Sequence, residues 1–494
     1  MKKALLNTLQ IVLKTALAAA LFIMTWNWLT PYFRVNRNTD GDLFRNLPED
    51  TIDIIALGSS HIQYAFNPAV FYAETGNYSY VLGSSCQPFS MSYYMLEEAL
   101  KTQHPSVVVL DVFTLLPQSQ VCYADGLYYK AIDMMSGETR YEAGKYGTGS
   151  LPENLQEAYT YDLILNHDHW KDMDFSDPDS IIANTHTAKG YHWDLGYVRQ
   201  EPEKFQYTPL QVLEVEDDTV TLSEDETKWV DKINDLCTAN DIHLILVKTP
   251  YIENQADADK LNAIWKYAVE KKIEHIDYIQ KAESLDWFMD MDGDTWHNNS
   301  WGAEIITRDL ADTITKEGYI TDHKDNSDVE TLMDGAMHST AWSLLNSHNV
   351  NIYTLMTFAK KYPCVTLLRF KGSTLDDGTP NSGSIQDYEN NALQEIGFDH
   401  DFQTDADKDY YGIVVDGALL QSSDKPFEAE VNGHAVTFTE DDILIDGTSA
   451  GGNSKLQIVF NADDFSWKNA VGIDYDEHWF WKSGCDSWNC TVEP

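Results

Sequence analysis

Residues 52–61 have the sequence IDIIALGSSH, and this stretch decides how the first half of the chain folds. The apolar run 52–57 is typical of a strand buried on both faces of a parallel sheet. Gly58 ends the run, and Ser60 follows on the turn. A serine on a tight turn after such a strand lies at the mouth of the sheet. Taken alone, a Gly-Ser pair indicates only a turn.

Four further apolar runs predict the other strands of a five-stranded sheet, at residues 80–82, 106–112, 243–247 and 273–276. Amphipathic helical patterns lie between and after the later runs, for example at Trp229, Ile233 and Leu236, at 261–270, and at Ala303, Ile306, Leu310 and Ile314. This alternation predicts the α/β class with a doubly wound parallel sheet. Ligands of such sheets bind beyond the carboxyl ends of the strands.

The composition restricts the function. The chain has 494 residues, which is too long for one ordinary domain, and 79 acidic residues against 34 basic ones give a net charge of -45. Such a surface repels polyanions, which argues against nucleic acid as a partner. The six cysteines are too few for a disulfide scaffold and show no zinc-ligand spacing. Cys485 and Cys490 are close enough to form a small disulfide loop in an oxidising compartment.

The N-terminus predicts a membrane anchor. Residues 1–10 are interpreted as a cytoplasmic tail and residues 11–33 as a transmembrane helix, with Trp26 and Trp28 in the aromatic belt at its outer end. The alternative is a cleaved signal peptide, since small residues occur at 18–20. The apolar run continues well past them, which favours an uncleaved anchor. We therefore expect a single-pass protein of the cell membrane, with its bulk extracytoplasmic.

Two more stretches supply partners for Ser60. In VLGSS, residues 81–85, Gly83 follows the second strand and lets the backbone approach a substrate closely. In DTWHNNSWG, residues 294–302, Asp294 and His297 stand three residues apart on one loop. A serine hydroxyl needs a histidine to take its proton, the histidine needs a carboxylate to hold its tautomer, and the oxyanion needs donors. The three stretches together provide these groups.

These blocks resemble the SGNH, or GDSL-like, hydrolase superfamily over residues 49–320. The resemblance implies that Ser60 is the nucleophile, His297 the general base, and Asp294 the residue that orients His297. It also implies an oxyanion hole formed by the N–H groups of Ser60 and Gly83. Asn299 and Gly302 match the rest of the closing D-x-x-H-x-N-x-x-G pattern. A mechanism of this kind requires no metal and no organic cofactor.

Two departures from the superfamily pattern matter. The third block, an asparagine that donates to the oxyanion, is missing from LDVFTLLP at residues 110–117, so its place is empty or filled from elsewhere. Ser59 stands where the first block has aspartate. With these two departures, the chain resembles the membrane-anchored branch of the superfamily that includes DltD-like and alginate-acetylation proteins. That branch handles acyl groups on cell-envelope polymers, often beside a membrane-bound O-acyltransferase. His61 is interpreted as a neighbour of the nucleophile, and Lys248 as a strand-end lysine facing water.

The predicted organisation is a hydrolase-like domain at residues 45–322 with an insertion at 114–223, a linker at 323–330 and a β-rich domain at 331–494. The insertion is expected to form a lid or a substrate wall. A hairpin is expected around Asp416-Gly417. The stretches SAGGNSKLQIVFN, at 449–461, and VGIDYD, at 471–476, resemble the interleukin-like EMT inducer domain. That resemblance implies carbohydrate binding; a structural spacer is an equal alternative.

The sequence therefore predicts a serine esterase or O-acyltransferase that acts on acyl esters of a cell-envelope polysaccharide through an acyl-enzyme. The alternative is a non-catalytic glycan-binding or scaffold component of a surface-polymer acylation complex. The missing asparagine favours the alternative, and the complete D-x-x-H-x-N-x-x-G motif opposes it. The distance between Ser60 and His297 distinguishes them, since only the enzyme requires the pair within hydrogen-bond reach.

Overall fold

The structure of the protein is a computed structural model, which describes residues 2–33, 40–119, 126–149, 151–171, 173–177, 194–200, 212–281, 296–320, 323, 325–345, 364–381, 387–451, 455–462, 465, 468–474 and 479–481. Asp294 and the proposed pair Cys485 and Cys490 lie outside the described residues.

The helices are α1 (Lys2–Phe33), α2 (Asp40–Arg45), α3 (Ser60–Gln63), α4 (Pro68–Thr75), α5 (Phe89–Ala99), α6 (Gly126–Ile132), α7 (Gly137–Glu142), α8 (Glu153–Thr160), α9 (Asp162–Asn166), α10 (Glu224–Ala239), α11 (Gln255–Lys271), α12 (Ser300–Glu317), α13 (Ser327–Leu345) and α14 (Asp387–Ile396). Local chemistry explains where several begin. Ser223 and Glu226 form a capping box at the start of α10, and Asn254 accepts a hydrogen bond from Asp257 N at the start of α11.

The strands are β1 (Ile54–Gly58), β2 (Ser79–Gly83), β3 (Val107–Asp111), β4 (His243–Lys248), β5 (Glu274–Asp277), β6 (Cys364–Phe370), β7 (Tyr410–Val415), β8 (Ala418–Ser423), β9 (Glu428–Val431), β10 (His434–Phe438), β11 (Ile443–Ile445), β12 (Thr448–Ser449), β13 (Leu456–Ala462), β14 (Lys468–Asp474) and β15 (Trp479–Trp481).

The first five strands form a parallel sheet in the order β2-β1-β3-β4-β5. Both of its faces are covered. On β1, Ile55 and Leu57 lie in one apolar core, whereas Ile54 and Ala56 lie in another. Because side chains alternate across a strand, a sheet buried on both faces requires apolar residues at consecutive positions. The predicted doubly wound parallel sheet is confirmed.

Helix α1 is long and apolar enough to cross a membrane. Its candidate span, Asn7–Phe33, has 27 residues, and an 18-residue window within it has a mean hydropathy of 1.7. The helix already begins at Lys2, within the segment predicted as a tail. Its last residues contact α9, and His169 Nδ1 lies 3.1 Å from the carbonyl oxygen of Phe33.

The described part of the predicted insertion contains α6 to α9, and it is anchored in the core of the parallel-sheet domain. Tyr128, Ile132 and Tyr159 are buried there with residues of β1 and β3. Helix α13 begins within the predicted linker. Its Val329 and Met333 are buried in the same core.

Residues 364 to 481 contribute two antiparallel sheets. One has six strands in the order β15-β14-β13-β6-β7-β8, and the other has four in the order β12-β11-β10-β9. Their apolar faces share one core, in which Leu367 and Ile413 of the larger sheet lie with Val436 and Phe438 of the smaller. The expected β-rich C-terminal region is confirmed, and its resemblance to the interleukin-like EMT inducer domain stays a prediction.

Candidate active site

The strand order places a crevice between the loops that follow β1 and β3. In a sheet of order 2-1-3-4-5, the chain leaves β1 in one direction and β3 in the other, so the two loops separate and leave a binding crevice at the carboxyl edge. The loop after β1 carries Ser60, and the loop after β3 carries Phe113, the first residue of a short 3-10 helix.

Ser60 and His297 meet in this crevice. Ser60 Oγ lies 2.9 Å from His297 Nε2, although the residues are 237 positions apart in the sequence. Both side chains are partly exposed, so a substrate can reach them. At this distance the serine hydroxyl can donate its hydrogen bond to a neutral imidazole, which is the contact that a serine nucleophile and its base require.

The turn that presents Ser60 depends on Gly58 and Ser59. Gly58 has a φ of +142°, and a Cβ built there would lie 2.7 Å from Asp111 Cβ. Ser59 caps α3 because its side chain accepts a hydrogen bond from His61 N. Ser60 is therefore the first residue of α3, where a backbone N–H has no acceptor within the helix.

The loop that carries His297 ends in the N-terminus of α12. Asn299 Oδ1 accepts a hydrogen bond from Gly302 N, so the asparagine of the D-x-x-H-x-N-x-x-G motif caps this helix. The imidazole of His297 stacks on the ring of Tyr64, with ring centroids 4.5 Å apart. Asp294 lies outside the described residues, and its contact with His297 stays a prediction.

Gly83 stands beside the end of β1, where it pairs in register with Gly58. A Cβ at this position would lie 2.7 Å from Gln63 Cγ, and the Gln63 amide donates a hydrogen bond to the carbonyl oxygen of Gly83. A larger residue fits here only if the Gln63 side chain moves. The backbone of Gly83 thus lies next to the helix that begins with Ser60, as its predicted role in an oxyanion hole requires.

Asp111, which sequence analysis did not single out, organises the end of β3. Its Oδ2 accepts a hydrogen bond of 2.7 Å from Ser59 Oγ, and its Oδ1 accepts one from Phe113 N. Burial raises the pKa of this carboxyl, and the bonds from Ser59 and Phe113 act against that rise. Ser59, which stands where the resembled superfamily has aspartate, thus bonds to a carboxylate supplied by the third strand.

His61, interpreted from the sequence as a neighbour of the nucleophile, packs in the wall of the crevice. Its ring stacks on Phe113 with centroids 3.6 Å apart, meets the edge of Tyr251, and lies 5.3 Å from the ring of His297. Its Nδ1 lies 3.2 Å from Thr249 Oγ1. Burial lowers the pKa of His61 well below its usual value, and the charges of Lys248 and His297 lower it further. The imidazole is therefore neutral at pH 7.

Lys248 does not face water, and that expectation is wrong. Its side chain is fully buried, Nζ donates a hydrogen bond of 2.6 Å to the carbonyl oxygen of Thr249, and the ammonium lies 3.6 Å from the centre of the Tyr251 ring. Burial lowers the pKa of Lys248 to about 8, although nearby carboxylates such as Glu253 raise it. The residue holds the chain after β4, which in turn holds His61 through Thr249.

Residues 194–200, a part of the insertion that we call the strap, join the two halves of the site. Leu195 O accepts a hydrogen bond from Val81 N on the free edge of β2, and Val198 N donates one to Gln63 O at the end of α3. Gln200 O accepts one from Ser300 N at the start of α12. The strap therefore ties α3, which begins with Ser60, to α12, which follows the loop that carries His297, a role that the sequence pattern did not reveal.

We expect Gly196→Ala to destabilise the protein by about 1–3 kcal/mol more than Gly318→Ala does. Both glycines have a positive φ, +83° and +69°, so both variants bear the same backbone cost. Only at Gly196 would a Cβ lie 1.9 Å from Val81 O, whereas nothing lies within 4 Å at Gly318. Urea unfolding midpoints of the two variants measure the difference, and equal midpoints would contradict the close approach of the strap to β2.

Comparisons with known proteins give little guidance. No family model matches the chain, and no curated protein matches its sequence. Among solved structures, the chain is similar to a "putative acylhydrolase" from Bacteroides fragilis, with 14% identity and a TM-score of 0.28. The match covers 58% of this chain and 97% of the other. Similarity this weak carries no argument about function, which must come from the residues of the crevice.

Proposed function

We propose that this chain is a membrane-anchored, extracytoplasmic serine esterase or O-acyltransferase that acts on acyl esters of a cell-envelope polysaccharide. The observation that carries the proposal is the 2.9 Å separation of Ser60 Oγ and His297 Nε2 in the crevice. A lone Gly-Ser turn is common, but a partly exposed serine within reach of an imidazole at the switch point of a parallel sheet fits nucleophilic catalysis.

The chemistry proceeds in two half-reactions. As Ser60 Oγ attacks the acyl carbonyl, its proton passes to His297 Nε2, and the carbonyl oxygen becomes an oxyanion. The N–H groups of Ser60 and Gly83 stabilise that oxyanion, and Asp294 holds the imidazole in the required tautomer. His297 then protonates the departing alkoxide, which leaves an acyl-enzyme. Water or a sugar hydroxyl, deprotonated by His297, attacks the acyl-enzyme and restores Ser60.

The third oxyanion donor in this proposal is His61. Phe113 occupies the loop after β3, where the resembled superfamily has its asparagine, and the His61 ring stacks directly on Phe113. If Thr249 Oγ1 donates its hydrogen to Nδ1, the neutral imidazole carries its own hydrogen on Nε2. That N–H is on the side of the ring away from Thr249, and in this proposal it supplies the third donor.

The location of the enzyme rests on two features. Helix α1 is long and apolar enough to span a bilayer, and Cys86 is disulfide-bonded. Stable disulfides occur mainly in oxidising compartments, so the domain that contains Cys86 belongs outside the cytoplasm. The polysaccharide substrate and a neighbouring membrane-bound O-acyltransferase are supported by the resemblance to the DltD-like branch. Carbohydrate binding by the C-terminal region has the same kind of support.

The proposal predicts turnover of a simple activated ester. The full chain in detergent is incubated with 4-nitrophenyl acetate, with and without cellopentaose, and released 4-nitrophenol and acetylated sugar are measured by absorbance and mass spectrometry. Acetylated sugar would identify a transferase, and acetate alone an esterase. A folded protein that accelerates neither reaction above the uncatalysed background would contradict the enzyme and support the glycan-binding or scaffold alternative.

A further inference from the structure

Exposed aromatic side chains are concentrated in the insertion. We call five of them the aromatic surface, and their exposed fractions are 37% for Tyr141, 53% for Tyr146, 43% for Tyr161, 53% for Trp170 and 68% for Phe175. Soluble proteins rarely expose large apolar side chains together unless the surface binds something. The rings of Tyr141 and Tyr161 also contact each other, with centroids 6.1 Å apart.

Three residues of the aromatic surface, Tyr141, Tyr161 and Trp170, lie beside the outer end of α1 or directly follow a residue that does. Tyr141 and Tyr161 line a groove of about 360 Å³ whose opposite side is formed by residues of α1 that include Trp26 and Thr30. Trp170 directly follows His169, whose Nδ1 lies 3.1 Å from Phe33 O at the end of α1. The surface is thus continuous with the part of α1 that emerges from the bilayer in the proposed topology.

The length of α1 determines how deep in the bilayer its contact with the insertion lies. The 27-residue candidate span extends about 40 Å at 1.5 Å per residue, whereas the hydrocarbon core of a bilayer is about 30 Å thick. About 10 Å of helix therefore lies in the headgroup layer, and the aromatic belt Trp26, Trp28, Tyr32 and Phe33 marks that end. Insertion residues that touch Trp26 or Phe33 must lie at the same depth.

We propose that the aromatic surface binds the outer face of the lipid bilayer and seats the catalytic domain on it. This inference rests on the proposed anchoring by α1. Tyr and Trp favour the headgroup boundary because one end of each ring system is apolar and the other is polar. Acidic residues outnumber basic ones in residues 126–177, so this segment does not bind anionic lipid by charge attraction. The aromatic rings at the headgroup boundary provide the binding instead. Zwitterionic lipid is therefore sufficient.

The orientation of the insertion on the bilayer also sets the orientation of the active site, because a packed core connects the two. Tyr128, Ile132 and Tyr159 of the insertion are buried with residues of the parallel sheet. At Gly147 the chain packs so closely that a Cβ would lie 2.3 Å from the end of the Met91 side chain on α5. Because the insertion and the sheet share one core, seating the aromatic surface on lipid holds the Ser60–His297 crevice at a fixed height and tilt.

Nitroxide depth measurements test the inference on the full chain in phosphatidylcholine nanodiscs. Spin labels are placed at Trp170→Cys and Phe175→Cys, and collisions with oxygen, which favours lipid, are compared with collisions with a water-soluble nickel chelate. Val269→Cys and Leu420→Cys are matched controls, because their side chains are 65% and 56% exposed on other surfaces. Leu21→Cys, in the apolar part of α1, reports the anchor. Cys237 and Cys364 are buried and should not label.

We expect the oxygen-to-nickel collision ratio at positions 170 and 175 to exceed that at 269 and 420 severalfold, and to lie below that at 21. Water-like ratios at 170 and 175 with a lipid-like ratio at 21 would overturn the inference and leave the anchor intact. A water-like ratio at 21 would overturn the anchor itself and, with it, this inference. Crosslinking of the unsubstituted chain by a photoreactive phosphatidylcholine gives a check that requires no variant: crosslinks confined to α1 would also overturn it.

Discussion

Ser60→Ala is expected to abolish labelling of the full chain by a fluorophosphonate probe and to lower 4-nitrophenyl acetate turnover by about four to six orders of magnitude. Fluorophosphonates react with a serine whose proton is taken by a base, and Ser60 Oγ is placed 2.9 Å from His297 Nε2 for that transfer. Without the hydroxyl, no acyl-enzyme can form. In-gel fluorescence and absorbance at saturating substrate measure the two effects.

Ser59→Ala is the matched control for this prediction. Ser59 is adjacent to Ser60 and equally a serine, but it is buried and its hydroxyl donates to Asp111. Its loss should destabilise the turn by about 1 kcal/mol through the missing cap of α3, while Ser60 remains reactive. If Ser60→Ala were still labelled, or if the folded wild-type chain were not labelled at all, Ser60 would not be the nucleophile.

The parallel sheet could be predicted because its signal is local. Four of the five strands are short apolar runs, whereas the edge strand β5 (Glu274–Asp277) has one apolar residue. The observed strands, such as β1 (Ile54–Gly58) and β3 (Val107–Asp111), differ from the predicted runs by one or two residues. The cause is that a sheet covered on both faces requires consecutive apolar positions. The strand order β2-β1-β3-β4-β5 cannot be predicted from the sequence of any one strand, because it depends on how the connections cross the sheet.

Turn chemistry predicted one hairpin and could have predicted two more. Asp416 and Gly417 both have positive φ, 49° and 72°, and connect β7 to β8 as expected. Asn432-Gly433 and Asp446-Gly447 show the same pairs of positive φ between β9 and β10 and between β11 and β12. Asx-Gly pairs are favoured there because both turn residues adopt a left-handed conformation.

The walls of the crevice could not be predicted, because they are assembled from three loops. His61, Phe113 and Tyr251 follow different strands, and nothing in their local sequence shows that their rings meet. Lys248 was misjudged for the same reason, since strand-end lysines usually reach water. Lys248 is instead buried against the chain that follows β4, where it contacts Thr249 and Tyr251. The pairing of Ser60 with His297 was predictable through the motif, whereas the environment that tunes it was not.

His61→Ala is expected to lower kcat for 4-nitrophenyl acetate by about 100- to 1000-fold while KM changes little, because an oxyanion donor acts on the transition state and not on the bound ester. His61→Gln can present an N–H from its amide and should recover part of the loss. Steady-state kinetics of both variants, with thermal unfolding of each, separate a lost donor from a lost fold.

Phe113→Leu distinguishes donation by His61 from mere packing. This change removes the ring that stacks on His61 at 3.6 Å but removes no donor, so it should lower thermal stability with a loss of kcat far below that of His61→Ala. Because burial lowers the pKa of His61 well below its usual value, the imidazole stays neutral as the pH falls from 8 to 6, and the ratio of wild-type to His61→Ala kcat should stay constant over that range. If His61→Ala kept kcat within a few-fold of wild type, or if Phe113→Leu lost as much, the imidazole would act only as a packed wall and the third donor would have to come from another residue.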